Sequence, residues 1–194
     1  MQTVVSIAHL TKQYGPLLAV DHINLEINRG EFFGLLGPNG AGKTTTIRIL
    51  SGLTKPSGGT ATVMGFDVAR ETVRVKEQIG VVPEVSNVYE DMSAWENLMF
   101  AAELHGVPRP ERAIKSKQLL KLFGLYDRRN DDVVKFSKGM KRSLTIAAAL
   151  IHEPKLLFLD EPTTGLDVQS ARQIRSMVQE LNRKGVTVLL TTHY

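Results

Sequence analysis

The feature that most constrains this chain is a glycine-rich octet, GPNGAGKT, from Gly37 to Thr44. A short apolar run precedes it, FFGLL from Phe32 to Leu36, and TTTIRIL, which reads as helix, follows. FFGLL has the pattern of a strand buried on both faces. A strand that turns through G-x-x-x-x-G-K-[ST] into a helix leaves few folds open, and all of them are α/β. The glycines let the backbone fold tightly, so that successive N–H groups point inward. The helix beginning near Gly42 adds its positive end. Such a cradle fits the phosphates of a nucleoside triphosphate. Lys43 can reach the β- and γ-phosphates, and the Thr44 hydroxyl can bind Mg²⁺.

The rest of the chain supplies the sheet that this cradle needs. Ile23, Leu25 and Ile27 alternate with polar residues, as in a half-buried strand. TATVMG from Thr60 and IGVV from Ile79 read as further strands. From about Tyr89 to His152 the texture turns helical. SAWENLMFAAELHG opens on Ser93 with Glu96 placed for a capping box, and Gly106 closes it. ERAIKSKQLLKLFG follows PRP and runs to Gly124, and a third helix opens in KFSKGM. KLLFLDEP then brings a buried strand into a carboxylate pair. A helix with Ile174, Met177, Val178 and Leu181 on one face comes next, with Gly185 at its C′ position. VTVLLTTH is the final buried strand. Strands alternating with helices imply a mostly parallel sheet.

Composition excludes several classes. With 194 residues and 42% hydrophobic content the chain can bury one core. No apolar run approaches the roughly 18 residues of a membrane span. MQTVVSIAHLTKQYG lacks the basic start and apolar core of a signal peptide. Without cysteine there is no disulfide framework and no thiol nucleophile, which fits a cytoplasmic location. The net charge of +4 is uneven: residues 106–142 hold 11 Lys/Arg against 4 Asp/Glu. A solvated helical face, an anionic membrane surface and a nucleic acid are each compatible with that stretch.

Two segments carry further chemistry. Asp160 ends the strand LLFL at the sheet edge where ligands sit in open α/β folds, and would hold Mg²⁺. Glu161 either faces solvent or, beside a γ-phosphate, orients the attacking water. KFSKGMKRS opens a helix at Ser137, a natural N-cap, yet its first turn holds Lys138, Lys141 and Arg142. Cations there are unfavourable by roughly 0.3–1 kcal/mol each. Either this is an indifferent surface helix or an anion docks on it.

GPNGAGKTT, FSKGMKRSLTIAAAL, LLFLDEPTTGLD and TTH, in that order, resemble the ATP-binding cassette (ABC) ATPases. The resemblance covers essentially the whole chain. It implies a P-loop core with a small antiparallel β portion and an inserted helical subdomain. The single domain over 1–194 would then have its core at 1–88 and 153–194 and its helical part at about 89–152. Family members continue beyond the final histidine, so a chain ending at Tyr194 is expected to be truncated. ATP would lie on Gly37, Pro38, Asn39, Gly40, Ala41, Gly42, Lys43, Thr44 and Thr45. Tyr14 would stack on the adenine, or is an ordinary packed tyrosine, and Val20 would lie beside the base or ribose. Ser137, Lys138, Gly139 and Met140 stand at the signature turn, which completes the ATP site of the opposite subunit in a head-to-tail dimer. The cations around that turn would then face a phosphate.

Asp167 matches the aspartate of the interface loop, and can also be a helix N-cap. His193 matches the histidine that contacts the γ-phosphate, and Lys43, Glu161 and His193 form the catalytic set. Thr44, Glu84 and Asp160 are the Mg²⁺ ligands implied, although Glu84 stands where the family has Gln. FSKGM departs from LSGGQ, and both departures resemble drug, antibiotic and polysaccharide exporter branches. His9, His22, His105, His152 and Trp95 read as structural. The function implied is ATP hydrolysis driving transport, with export favoured, through separate integral membrane subunits and a second ABC subunit, identical or related. The location implied is peripheral, on the cytoplasmic face of the membrane. The alternatives are a non-transport ABC ATPase acting on ribosomes or nucleic acid, although nucleic acid is not the expected partner, and a regulator that binds ATP with little turnover.

Overall fold

The computed structural model describes residues 2–193. The alternating apolar residues at the start form two long strands, β1 (Thr3–Tyr14) and β2 (Leu17–Asn28), paired antiparallel. FFGLL becomes β3 (Phe32–Leu36), and the octet leads into α1 (Lys43–Leu50). β4 (Gly58–Val63) and β5 (Phe66–Asp67) complete an antiparallel sheet of order β2-β1-β4-β5. Then come α2 (Thr72–Gln78) and β6 (Ile79–Val82). After the helical stretch, β7 (Leu156–Leu159) and β8 (Thr187–Thr192) join β3 and β6 in a second sheet, ordered β3-β8-β7-β6. β8 runs parallel to both β3 and β7.

This register positions the site. Leu36 pairs with Thr192, and Leu159 pairs with Leu190. The segments beginning at Gly37, Asp160 and His193 therefore all leave the sheet at its C-terminal edge, where open α/β sheets present ligands.

FFGLL was expected to be buried on both faces, but only the alternate residues of β3 turn inward and its other face is left uncovered among the described residues. Phe33 and Leu35 pack on the core, whereas Phe32 and Leu36 are 43% and 69% exposed. β7, flanked by a strand on each side, is buried at all four positions.

The chain divides into two compact units. Among the described residues, the first comprises 2–81, 155–161 and 179–193. Its core joins Val5, Ile7 and Leu10 of β1 to Ile47 and Leu50 of α1, Val63, Phe158 and Leu189. The second unit comprises 82–154 and 162–178. It holds α3 (Ala94–Leu104), α4 (Arg109–Leu122), α5 (Lys138–Leu150) and the first part of α6 (Val168–Arg183).

The capping box of α3 forms as read: the Ser93 hydroxyl accepts from the Glu96 N–H, and the Glu96 carboxylate accepts from the Ser93 N–H. α4 starts at Arg109 with Pro110 in its first turn, where a missing N–H costs nothing. Buried Asn97 holds the loop before α3, accepting from the Tyr89 N–H and donating to the carbonyls of Tyr89 and Ser93. Among the described residues no helix is long and apolar enough to cross a membrane.

Candidate functional site

In the first unit the loop from Gly37 to Gly42 has its conformation because glycine permits it. Gly42 has φ 84, and a Cβ there would lie 2.3 Å from the Ala19 carbonyl oxygen. No other residue fits both the backbone angle and the approach of β2. Pro38, Asn39 and Gly40 are exposed, and Ala41 donates its N–H to the Pro38 carbonyl. α1 opens on Gly42 with no side-chain cap and no acid in its first turn. Its leading N–H groups, those of Lys43, Thr44 and Thr45, therefore keep an uncompensated positive end.

Lys43 folds back over the loop, its Nζ donating to the carbonyls of Gly37 (2.7 Å) and Pro38 (3.1 Å). The same Nζ lies 3.5 Å from Glu161 Oε1, and both side chains are only 9% exposed. The Thr44 hydroxyl donates to Asp160 Oδ1 at 3.1 Å. Thr191, fully buried in β8, donates to that same oxygen at 2.6 Å and accepts the Glu161 N–H at 2.9 Å. His193 Nδ1 stands 2.8 Å from Glu161 Oε2.

Glu161 has φ 46, left-handed for a residue with a Cβ, which costs about 1–3 kcal/mol. Thr191, Lys43 and His193 together hold it there. Such strain persists only where the surroundings over-determine it, and it clusters at functional sites. Tyr14, at the end of β1, is 43% exposed, with Lys12 Nζ 4.7 Å from its ring centroid. Val20 is buried and packs against Gly42.

Thr44 and Asp160 are hard oxygen donors already side by side, a pair that fits Mg²⁺. No group of three or more potential metal-binding His, Asp or Glu residues occurs among the described residues.

The second unit gathers the remaining residues. The Ser137 hydroxyl caps α5 by accepting the Met140 N–H at 3.2 Å, and Lys138 is exposed. Gly139 is buried, and a Cβ there would lie 2.5 Å from the Ser170 hydroxyl oxygen. That hydroxyl donates to Asp167 Oδ2 at 2.6 Å, and the Ser170 N–H donates to Oδ1 at 2.9 Å. The Ser170 hydroxyl, then its N–H, hold the Asp167 carboxyl below the usual carboxylate range. Asp167 thus caps the start of α6, and through Ser170 the α6 start packs on the Ser137 turn.

Two of the three first-turn cations of α5 have partners within this unit. Lys141 pairs with Glu90 at 2.6 Å. The Arg142 guanidinium, 4% exposed, donates to the carbonyl of Pro83 at 2.5 Å and to that of Glu84. These two clamp the loop before α3 onto α5 and are not spare charges for an anion; only Lys138 stays exposed. Glu84 itself is exposed and belongs to this second unit.

Sequence reasoning missed Thr191, Ser170 and the task of Arg142. Thr191 was within reach, because strand periodicity puts it on the face of His193 two residues on. Ser170 and Arg142 had no comparable signal.

The ABC transporter family model matches residues 20–164, a span that holds the loop, the Ser137 turn and the Asp160–Glu161 pair. The chain belongs to the ABC transporter family. Among its ABC relatives is the linearmycin resistance ATP-binding protein LnrL of Bacillus subtilis (strain 168), 44% identical over 186 residues. That match covers 96% of this chain and 60% of the relative. The daunorubicin/doxorubicin resistance ATP-binding protein DrrA of Streptomyces peucetius is 44% identical, with 95% and 56% covered. The chain therefore spans about 60% of the length of these ABC relatives. Among solved ABC structures, cbiO1 from Clostridium perfringens, part of the complex cbiONQ, superposes with a TM-score of 0.90 at 29% identity. It covers 100% of this chain and 80% of that one. The ATP-binding cassette MJ0796, a dimer in a post-hydrolysis state with ADP and Pi, gives 0.85 at 28% identity, with 98% and 88% covered.

Proposed function

We propose that this chain is the ATP-binding and hydrolysing subunit of an ABC transporter, energising export through separate membrane subunits. The observation that carries the reading is the joined set of Lys43, Thr44, Asp160, Glu161, Thr191 and His193 at one sheet edge. In this reading the ATP phosphates lie over residues 37–45, and the adenine and ribose lie against Tyr14 and Val20. Lys43 exchanges its carbonyl partners for phosphate oxygens. Thr44 and Asp160 would hold Mg²⁺; when bound, the ion neutralises phosphate charge.

Glu161 orients the attacking water and takes its proton, and His193 holds the Glu161 carboxylate and reaches the γ-phosphate. Positioning and electrostatics do most of the work. Ser137, Lys138, Gly139 and Met140, with Asp167, serve the ATP site of a second ABC subunit. One cassette accounts for 1–194, with a core at 1–88 and 153–194 and a helical part at about 89–152. Relatives named for linearmycin and daunorubicin/doxorubicin resistance favour export. The chain would act at the cytoplasmic face of the membrane, held there by its partners.

Two measurements test this reading: Mg-dependent ATP turnover, and solution mass by light scattering. Glu161→Gln should abolish turnover, retain ATP binding, and accumulate an ATP-dependent dimer that Ser137→Arg prevents. Undiminished turnover in Glu161→Gln refutes the role of Glu161. An ATP-bound monomer refutes the shared site.

A further inference from the structure

We propose that the outer face of α4, with the turn that follows it, is a docking surface for anionic lipid. Carboxylate pairing within residues 106–142 leads to it. Glu111 pairs with Lys115, Asp131 with Arg128 and Asp132 with Lys135. Arg112, Lys115 and Lys141 reach Glu103, Glu153 and Glu90 beyond the stretch, and Arg142 is taken by backbone carbonyls. Arg109, Lys117, Lys121, Arg129 and Lys138 form no ion pair with a carboxylate among the described residues, and neither does Asp127 with any of them.

Three of these five cations surround a single ring. The Arg129 guanidinium carbon lies 4.5 Å from the Tyr126 centroid, Lys121 Nζ 5.3 Å and Lys117 Nζ 5.8 Å. The ring quadrupole offsets only part of the repulsion among them. An array of anions relieves the rest.

The same surface is also apolar. Lys117 and Lys121 are one helical turn apart, and Ile114 lies one turn before them on that face. Ile114 is 59% exposed, and Leu122, at the border of the face, is 40% exposed. The opposite face carries Ser116 and Leu120, both fully buried. An exposed helix face that mixes lysines with large aliphatic residues, beside a tyrosine, matches an interfacial surface. Its cations meet headgroups and its aliphatic side chains meet the acyl boundary. A nucleic acid would use the cations and leave Ile114 and Leu122 in water, so the lipid surface fits more of what is there. The inference rests on the transport reading only for bringing the second unit to a membrane.

Co-sedimentation with vesicles tests it, using phosphatidylcholine alone and phosphatidylcholine with phosphatidylglycerol. The protein should partition onto the phosphatidylglycerol vesicles, less so at raised salt. Removing one cation near an anionic surface weakens binding about fivefold, so Lys117→Gln with Lys121→Gln should weaken it about 25-fold. Ile114→Ser with Leu122→Ser should weaken it as well. ATP affinity, measured on the same preparations, should not move in either variant, so a failure of the ATP reading would register separately. Equal partition onto both vesicle types, or unchanged partition of the lysine variant, overturns the proposal. Loss of duplex RNA affinity in that variant without loss of vesicle binding also overturns it, and assigns the patch to nucleic acid.

Discussion

Arg142→Met removes the clamp on the loop before α3 while keeping most of the side-chain volume, so little cavity cost arises. Arg142 is 4% exposed and makes two bonds to backbone carbonyls. Hydrogen bonds to charged groups contribute about 1.5–3 kcal/mol each, or about 3–6 kcal/mol for the pair. Two effects oppose this. Taking a cation from the N-terminus of α5 returns about 0.3–1 kcal/mol. Water can also reach the freed carbonyls, since Glu84 is exposed and Pro83 is only half-buried. The first effect leaves about 2–6 kcal/mol, and solvation of the freed carbonyls brings the expected net loss to the lower end, about 2–3 kcal/mol. At about 2–4 °C per kcal/mol for a chain this size, the melting temperature should fall by about 4–12 °C. Urea unfolding gives the free energy, and amide hydrogen exchange gives the location. Protection should fall first at the Tyr89 amide, which donates to Asn97 Oδ1 in the clamped loop, with the middle of α5 unaffected. Lys141→Gln, whose partner Glu90 is exposed, should cost under about 1 kcal/mol. Stability of Arg142→Met within about 0.5 kcal/mol of the parent, with exchange of the Tyr89 amide unchanged, would refute the clamp.

Three further outcomes are expected. Thr191→Val leaves the Glu161 N–H and Asp160 Oδ1 without their shared hydroxyl; it should cost about 1–3 kcal/mol in urea unfolding and lower ATP turnover, and an unchanged protein would remove Thr191 from the site. Gly139→Ala places a Cβ 2.5 Å from the Ser170 hydroxyl oxygen and should destabilise by about 1–3 kcal/mol, with Ser170→Gly recovering part of the loss in a double-mutant cycle; strict additivity would mean the two do not touch. The Ser93 N–H, then the Ser93 hydroxyl, hold the Glu96 carboxyl below its ordinary range. A carboxyl lowered on folding stabilises above its unfolded value, and that contribution is lost as pH falls through the folded value. Glu96→Gln should therefore lower the urea midpoint at pH 7, with the difference closing below about pH 4.3, and an equal difference at both pH values would contradict the capping role.

What the amino-acid sequence determined by itself lies where the physics is local. The loop from Gly37 to Thr44 is legible because its backbone angles and helix start are set within a few residues, although the approach of Ala19 to Gly42 comes from β2. The Ser93–Glu96 box and the Ser137 cap are legible for the same reason: donor and acceptor are three residues apart. Strand and helix periods were enough for the α/β class. Tertiary structure decided the rest. FFGLL has the composition of a strand buried on both faces, yet its exposure depends on what packs over each face of the sheet, which no local window contains. Asp160 and Thr191 are 31 residues apart in the chain, and the Thr191 hydroxyl donates to Asp160 only because β7 and β8 pair in parallel at one register. The cations at the start of α5 looked like a site for an external anion because their true partners lie far away. The Glu84 carbonyl is 58 residues from Arg142, and Glu90 is 51 from Lys141. A charge at a helix terminus reports its local cost in the sequence, whereas the partner that offsets the cost is chosen by packing.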